Sequence, residues 1–386
     1  MVGAGAFGGW SALRLQQKGA KVILLDAWGP GNSRSSSGGE TRIIRATYGG
    51  GRLYTQMAVR SLKIWQESEA QWHLKLFFPS GVLWMAGGDD AYERDALPLL
   101  TEAGVPFEKL SGADCAKRWP QMNFEGIAWS VYEPKSGYLA ARRACEAVFN
   151  AFINEGGEYR QLKATPGPIV ANRMQAVMVN AGESLSADSY LFACGPWLKS
   201  LFPFMAPVIT ITRQEVFFFG PPPGDARFSD DQLPVWSDDS AHLIPGIPGR
   251  HWFYGIPGNH WRGFKIADDQ RGPVTDPTTM EREISSGALA AARQYLAFRF
   301  PGLARAPLVE SRVCQYENSP DQNFVLDRHP KAENVWIAGG GSGHGFKHGP
   351  ALGDMASDAV LGWKSPPKEL SLGSHLKSIP RKGKLD

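Results

Sequence analysis

The opening stretch, MVGAGAFGGWSALRLQQKGAKVILLDA, divides into a glycine turn, a helical pattern carrying Leu13 and Leu15, and an apolar run from Val22 to Leu25. That order predicts a tight turn, a helix and a buried strand ending at Asp26. The alternation returns later. A helix is expected from about Ala140 to Glu155, then EYRQL, then two short strands in MQAVMVN and SYLFACG that lead to Gly195-Pro196-Trp197. Between Pro207 and Pro257 the pattern changes to segments rich in Phe, Ile, Val and Trp, VITITRQEVFFFG and HWFYGIP, broken by Pro and Gly. These read as antiparallel strands. Near the end, Asn334 to Ala338 forms one more apolar strand, followed by a glycine-rich loop and a helix. No internal repeat interrupts this order. It predicts a nucleotide domain in three pieces, 1–76, 137–204 and 312–364, with a second domain from 77–136 and 205–311 and a tail over 365–386.

Composition narrows the function classes. A chain of 386 residues is long enough for two domains, or for one domain split by an insertion. Apolar residues make up 43% and charged residues 20%, as in globular proteins. The net charge is +3, from 41 basic and 38 acidic side chains, with no basic run interleaved with aromatics, so nucleic acid is not expected as a partner. No window approaches the roughly 18 apolar residues of a membrane span, and the N-terminus lacks a charged start and cleavage site. A cytoplasmic protein without a membrane partner is therefore expected. Cys115, Cys145, Cys194 and Cys314 are scattered, with no C-x-x-C pair, so reduced thiols are expected rather than zinc or a disulfide framework. The 13 Trp, 20 Phe and 10 Tyr can line an apolar pocket.

Two glycine loops carry candidate chemistry. Gly3, Gly5 and Gly8 form G-x-G-x-x-G, and Asp26 follows at the distance that lets an acid hold a ribose hydroxyl. Such glycines admit a pyrophosphate to the backbone, and it then sits at a helix N-terminus. Only Met1 and Val2 precede the turn, so the first strand is almost missing and a plain loop–helix turn is the alternative. The second loop, Ser342 to His348, would bring another helix N-terminus to the cofactor. A flavin benefits there, because reduction leaves negative charge on its ring. A turn with packing value alone is the other reading. His344 and His348 stand four apart, a ligand spacing, but with no third ligand nearby no metal is expected.

GAGAFGG, GETRIIRATYG, GFKIADD, VCQYENSPDQNFVLDRHP and IAGGGSGHGFKHGP, in this order, resemble the monomeric sarcosine oxidase and N-methyltryptophan oxidase family of FAD-dependent amine oxidases, within the D-amino acid oxidase fold group. The resemblance extends to about Gly362. It implies an α/β protein: a Rossmann-like, D-amino acid oxidase-like FAD-binding domain plus an α+β substrate domain with a mostly antiparallel sheet, acting as a monomer. Cofactor contacts are implied at Gly3, Gly5, Ala6, Phe7, Gly8, Asp26, Thr41, Arg42, Gly341, Ser342, Gly343, His344, Gly345 and Lys347. Cys314 matches the cysteine that carries the flavin through a thioether; a buried core thiol is the alternative.

The same resemblance places Arg45 and Lys347 as the two cations that clamp a substrate carboxylate, a planar fork and a movable point charge. Arg42 matches an arginine beside the flavin ring. Lys265 matches the lysine that helps oxygen accept electrons, since a fixed cation stabilises the negative charge that forms. Tyr254 and Tyr316 match pocket contacts, or are core rings. Two positions depart from the family pattern: Gly38 and Asp269 stand where histidines are usual. The implied activity is oxidation of the C–N bond of a secondary, N-substituted or cyclic, amino acid to an imine, with O2 reduced to H2O2. The alternatives are a dehydrogenase with another electron acceptor and a fructosyl amino acid oxidase-like activity, because acids after the lysine also occur in that group.

Overall fold

The computed structural model describes residues 1–180, 182–240, 244, 246–247, 249, 251–259 and 262–377. The sheet that contains the N-terminus is built on the shortest of its segments. Val2 N–H donates to Leu191 O at 2.9 Å and Val2 O accepts from Ala193 N at 2.8 Å, while Leu25 N donates to Met1 O at 2.8 Å and Gly3 N to Leu25 O at 2.7 Å. Val2 thus bridges Ile23–Leu25 and Tyr190–Phe192 in parallel. The strand that seemed missing from the sequence is present as one residue. Outward from it, Ile23–Leu25 pairs in parallel with Glu158–Arg160, and Tyr190–Phe192 pairs in parallel with Ala332–Gly339, whose far side is antiparallel to Val325–His329.

The central strands of this sheet, Tyr190–Phe192 and most of Ala332–Gly339, are buried on both faces, which is why they read as apolar runs, whereas the edge strand Glu158–Arg160 is polar and largely exposed. Phe192, Val335 and Ile337 pack with Val177 and Val179 of a small three-stranded antiparallel sheet. Leu191, Trp336 and Ala338 alternate to the other side, against Leu352, Ala356 and Ala359 of the helix Gly349–Val360. That helix meets the first helix, Ala6–Gln17, at two glycines four apart. A Cβ on Gly349 or Gly353 would fall 2.5 or 2.8 Å from atoms of Trp10. The expected helix of 140–155 is found as Ala141–Asn154, packed in the same core.

The second unit is an eight-stranded sheet in the order Leu308–Asn318, Thr210–Phe219, Gly263–Asp268, Phe253–Asn259, Val235–Asp238, Val82–Ala86, Trp129–Glu133 and Glu108–Ser111. Its neighbours are antiparallel except Val235–Asp238 with Val82–Ala86, which run parallel because the segment from 77–136 joins the sheet beside the later strands. Helix Ser286–Arg299 covers it, and Arg299 Nε reaches the fully buried Asp238 at 2.9 Å. Leu308–Asn318 is hydrogen-bonded along its length to Thr210–Phe219, so the boundary expected at residue 312 falls inside this strand. Three further strands, Thr41–Ile44, Gly137–Ala140 and Phe77–Phe78, form a small antiparallel sheet. In the tail, the short helix Leu372–His375 docks through His375, which hydrogen-bonds Asp321 at 2.8 Å and Phe324 O at 3.1 Å. Positions 378–386 of the expected tail lie outside the described residues.

Candidate functional site

Two adjoining cavities occupy the seam between the sheets, and Arg42, Tyr316, Gly343 and Phe346 border both. The first is walled by Gly3, Gly5, Ala6 and Phe7 at the start of the first helix, by Asp26, and by Gly341, Gly343 and Gly345. Glycine is required where the chain crosses itself. Gly3 has φ +100°, and a Cβ there would lie 2.3 Å from Ala193 O; a Cβ on Gly8 would lie 1.8 Å from Gly3 O. The result is a glycine-lined backbone surface at a helix N-terminus, the positive end of the helix dipole, where Ala6 N–H is held by Ser37 Oγ at 3.0 Å. Asp26 ties this turn together. Its Oδ2 accepts from Ala4 N at 2.7 Å, and its Oδ1 accepts from Trp28 N and Gly29 N, both at 2.8 Å. Lone pairs of the carboxylate remain for a sugar hydroxyl. The helix N-terminus, the acid at its edge and the glycines that let a ligand approach the backbone fit a dinucleotide.

The second cavity has a volume of about 600 Å3. Its cationic wall is assembled from distant parts of the chain. Buried Glu133 accepts hydrogen bonds from Ala46 N (2.8 Å), Thr47 N (3.0 Å), Thr47 Oγ1 (2.6 Å) and Ser136 Oγ (2.7 Å), which fixes the turn between Arg45 and Tyr48. Arg45 donates to Thr47 O and lies 3.6 Å over the Tyr48 ring and 4.8 Å over the Trp84 ring. Burial works against its charge, but Tyr48, Tyr92, Glu133 and Asp269 together raise its pKa. Lys347 belongs to the one-turn helix Phe346–His348 rather than to the long helix that follows. Its Nζ donates to Tyr48 OH at 3.0 Å and His344 O at 2.9 Å. Burial, then Arg45, lowers its pKa well below the usual lysine range. Tyr48 OH also meets His348 Nε2 at 2.5 Å and His344 Nδ1 at 3.3 Å. The two histidines are therefore committed to the tyrosine and to Gln322 O, and burial depresses both of their pKa values.

Opposite stand residues of three strands. Cys314 and Tyr316 are two apart on Leu308–Asn318 and share a face; Lys265 and Asp269, four apart along and just past Gly263–Asp268, do likewise. Lys265 is buried and donates to Thr41 O at 3.1 Å, with Thr41 Oγ1 at 3.5 Å. Burial, then Arg42, lowers its pKa well below the usual range. It sits 5.6 Å over the Tyr254 ring. Tyr316 OH donates to Asp269 Oδ1 at 2.7 Å. Burial lifts the Asp269 pKa to about 6, against the opposing pull of Tyr316, Arg271 and Arg45. Burial likewise raises Tyr254 and Tyr316.

Most of the expected site residues meet here. Arg42, Arg45, Tyr254, Lys265, Tyr316, Ser342, Gly343, His344 and Lys347 border the second cavity. Gly8 and Thr41 lie behind the walls, one under the glycine turn and one beneath Lys265. Cys314 is beside the cavity walls rather than among their residues; its sulfur is 3.9 Å from an Arg42 guanidinium nitrogen, which also donates to Ser36 O at 2.6 Å. Sequence reasoning passed over Tyr48, although it lies near the end of the quoted run GETRIIRATYG. It also passed over Glu133, Trp84, Tyr92 and Trp252, which have no local signal: each is an ordinary residue until the chain folds.

The profile of the family described as FAD dependent oxidoreductase matches residues 1–359. Monomeric sarcosine oxidase of Bacillus sp. (strain B-0618) is 30% identical over 380 residues, covering 95% of this chain and 92% of that protein. N-methyl-L-tryptophan oxidase of Salmonella agona (strain SL483) is 27% identical over 375 residues, 96% of each. Among solved structures, L-proline dehydrogenase of P. horikoshii superposes with TM-score 0.80 at 18% identity, over 95% of this chain and 94% of that one. Fructosyl amine:oxygen oxidoreductase (Amadoriase I) of Aspergillus fumigatus superposes with TM-score 0.78 at 18% identity, over 96% and 88%. At that identity the last two speak for the fold alone.

Proposed function

Because this chain belongs to the FAD dependent oxidoreductase family, we propose that it is an oxidase of N-substituted amino acids bulkier than N-methylglycine. FAD, held between the glycine turn at Gly3–Gly8, Asp26 and the Gly341–Gly345 loop, would supply the two-electron acceptor. The observation that carries the reading is the chamber beside that cofactor cavity, in which two cations, the half-buried Arg45 and the buried Lys347, share the space with a half-buried acid of raised pKa, Asp269.

The residues divide the work by charge. Arg45 offers a planar fork, and Lys347 a point charge held by Tyr48 and His344 O, to a substrate carboxylate. Binding a carboxylate also restores the ammonium form of Lys347, by adding the counter-charge that its buried site lacks. Asp269, oriented by Tyr316, faces the amine. As a carboxylate it takes the proton that a secondary amine must lose before its C–N bond can be oxidised. The substrate then loses the equivalent of two electrons and two protons to become an imine, and water hydrolyses the imine to a carbonyl compound and an amine. Oxygen takes the same two electrons and two protons to give hydrogen peroxide, and Lys265 stabilises the negative charge that develops on it.

Size comes from the aromatic wall. Trp84, Tyr92 and Trp252 pack together, with centroids 5.4 to 6.1 Å apart, at one side of a cavity whose volume lies in the range of those that enclose drug-sized ligands. An acid and an aromatic wall suit a large N-substituent, including a glycated one. The test is a panel of N-methyl, cyclic and glycated amino acids, followed by peroxide formation and, in parallel, by dye reduction without oxygen. Turnover of the bulky substrates with peroxide supports the reading. Dye reduction without peroxide makes the protein a dehydrogenase, and turnover of N-methylglycine alone removes the size argument.

A further inference from the structure

The dinucleotide cavity contains one acid for which the reaction has no use. Glu317, on strand Leu308–Asn318, is 7% exposed and borders the cavity beside Cys194, Gly195 and Tyr316. Its Oε1 accepts a hydrogen bond from Gly340 N at 2.7 Å. Among the described residues this is its side chain's single hydrogen bond, and no cation pairs with it. The carboxyl is seated by glycines on both sides. A Cβ on Gly339 would lie 2.4 Å from Oε1, and one on Gly195 would lie 3.6 Å from Oε2. Among the described residues Oε2 is thus left without a protein partner at the cavity wall.

An ionised carboxylate in this position would face the phosphates of a dinucleotide across a low-dielectric gap, a repulsive pairing. A neutral carboxylic acid reverses the interaction, because its O–H is a donor and the sugar–phosphate linker of a dinucleotide presents acceptor oxygens. We propose that Glu317 is a ligand of the bound FAD, donating a hydrogen bond from its carboxylic acid to an acceptor oxygen of the sugar–phosphate linker. Oε1 meanwhile keeps its bond from Gly340.

The surroundings agree with a protonated group. Burial lifts the Glu317 pKa to about 8, with the Gly340 N–H bond opposing the rise. The titratable groups that share the cavity are Cys194, Asp26, Lys163, Arg42 and Tyr316, and none is hydrogen-bonded or ion-paired to Glu317. The Cys194 thiol is itself pushed up by burial, then by Asp26 and Glu317. A group raised in this way holds its proton below about pH 8 and loses it above. FAD affinity should fall accordingly as the pH rises.

The inference rests on the family's cofactor and not on the proposed substrate. Its test is FAD binding, read by flavin fluorescence after ultrafiltration at about pH 6.5 and about pH 9.5, in a Cys314→Ala background so that no covalent bond masks release. The comparison is with Glu317→Gln, whose amide oxygen replaces Oε1 and whose NH2 is a donor at every pH. With Glu317 present, Kd should rise about tenfold or more between the two pH values; with Glu317→Gln it should stay level and match the Glu317 value at the lower pH within about threefold. The melting temperature of the flavin-loaded protein without the Cys314 change should show the same contrast. An equal rise in both proteins would overturn the proposal, as would a Glu317→Gln variant that binds FAD about tenfold more weakly at the lower pH. Loss of substrate turnover with unchanged FAD binding would leave it standing and count against the proposed function instead.

Discussion

The Tyr316 hydroxyl donates to Asp269 Oδ1 at 2.7 Å across 47 positions of sequence, bringing a neighbour of Cys314 against the acid that follows Lys265. Asp269 has a raised pKa, so its burial costs least when it is protonated, below the ordinary carboxylate range. The fold then loses stability as pH rises from that range through about 6. The loss is on the order of 3 kcal/mol, because each tenfold change in proton affinity is worth about 1.4 kcal/mol. Asp269→Asn should therefore be more stable than the parent at about pH 8 and equal to it at about pH 4, as measured by denaturant midpoints. Activity should move the other way, falling about 100-fold or more, because no base remains for the amine proton. In the parent, kcat/KM should decline below about pH 6.

Arg45 and Lys347 are expected to act on binding. Arg45→Gln should raise KM for a carboxylated substrate about 10- to 100-fold, the range for a lost charge-assisted hydrogen bond. The matching amine without a carboxylate should be turned over equally by parent and variant. A variant that discriminates against both substrates to the same degree would remove the clamp.

Lys265 should belong to the oxygen step. Lys265→Met should slow flavin reoxidation by oxygen about 100- to 1000-fold, as for loss of a donor at a developing anion, and change anaerobic reduction by substrate far less. Stopped-flow absorbance separates the two half-reactions. Its pKa is depressed by burial and then by Arg42, so the oxygen step should slow as pH rises, opposite in sign to the Asp269 effect.

The Cys314 sulfur lies 3.9 Å from Arg42 at the seam of the two cavities. If it carries the flavin, acid precipitation should leave the yellow chromophore in the pellet, and Cys314→Ala should move it to the supernatant. A yellow supernatant from the unaltered protein would limit Cys314 to packing.

Gly8→Ala tests the cradle. The added Cβ meets Gly3 O, a backbone atom that cannot rotate away. The expected cost is roughly 1–3 kcal/mol of stability from overpacking, with a drop in flavin content on purification.

Much of the molecule was legible along the chain. Gly3, Gly5 and Gly8, the helix after them and the strand ending at Asp26 could be placed because glycine placement and apolar periodicity report local backbone geometry. Cys314 with Tyr316, and Lys265 with Asp269, share faces because side chains in a strand repeat every two residues. Other features had no local trace. Val2 forms the central strand as a single residue because Leu25 and Phe192 stand ready on either side of it, which no two-residue prefix could announce. Lys347 meets Tyr48 across 299 positions, Glu133 fixes Thr47 across 86, and Glu317 meets Gly340 across 23. Turns, periodicities and the kinds of charge available are properties of neighbouring residues, and the order of amino acids carries them in full. Which charges end up buried, and beside what, depends on how separate segments pack. That packing moved Asp269, Lys265, Lys347 and Glu317 away from their ordinary pKa values, because it took them out of water and set them against residues far away in the chain.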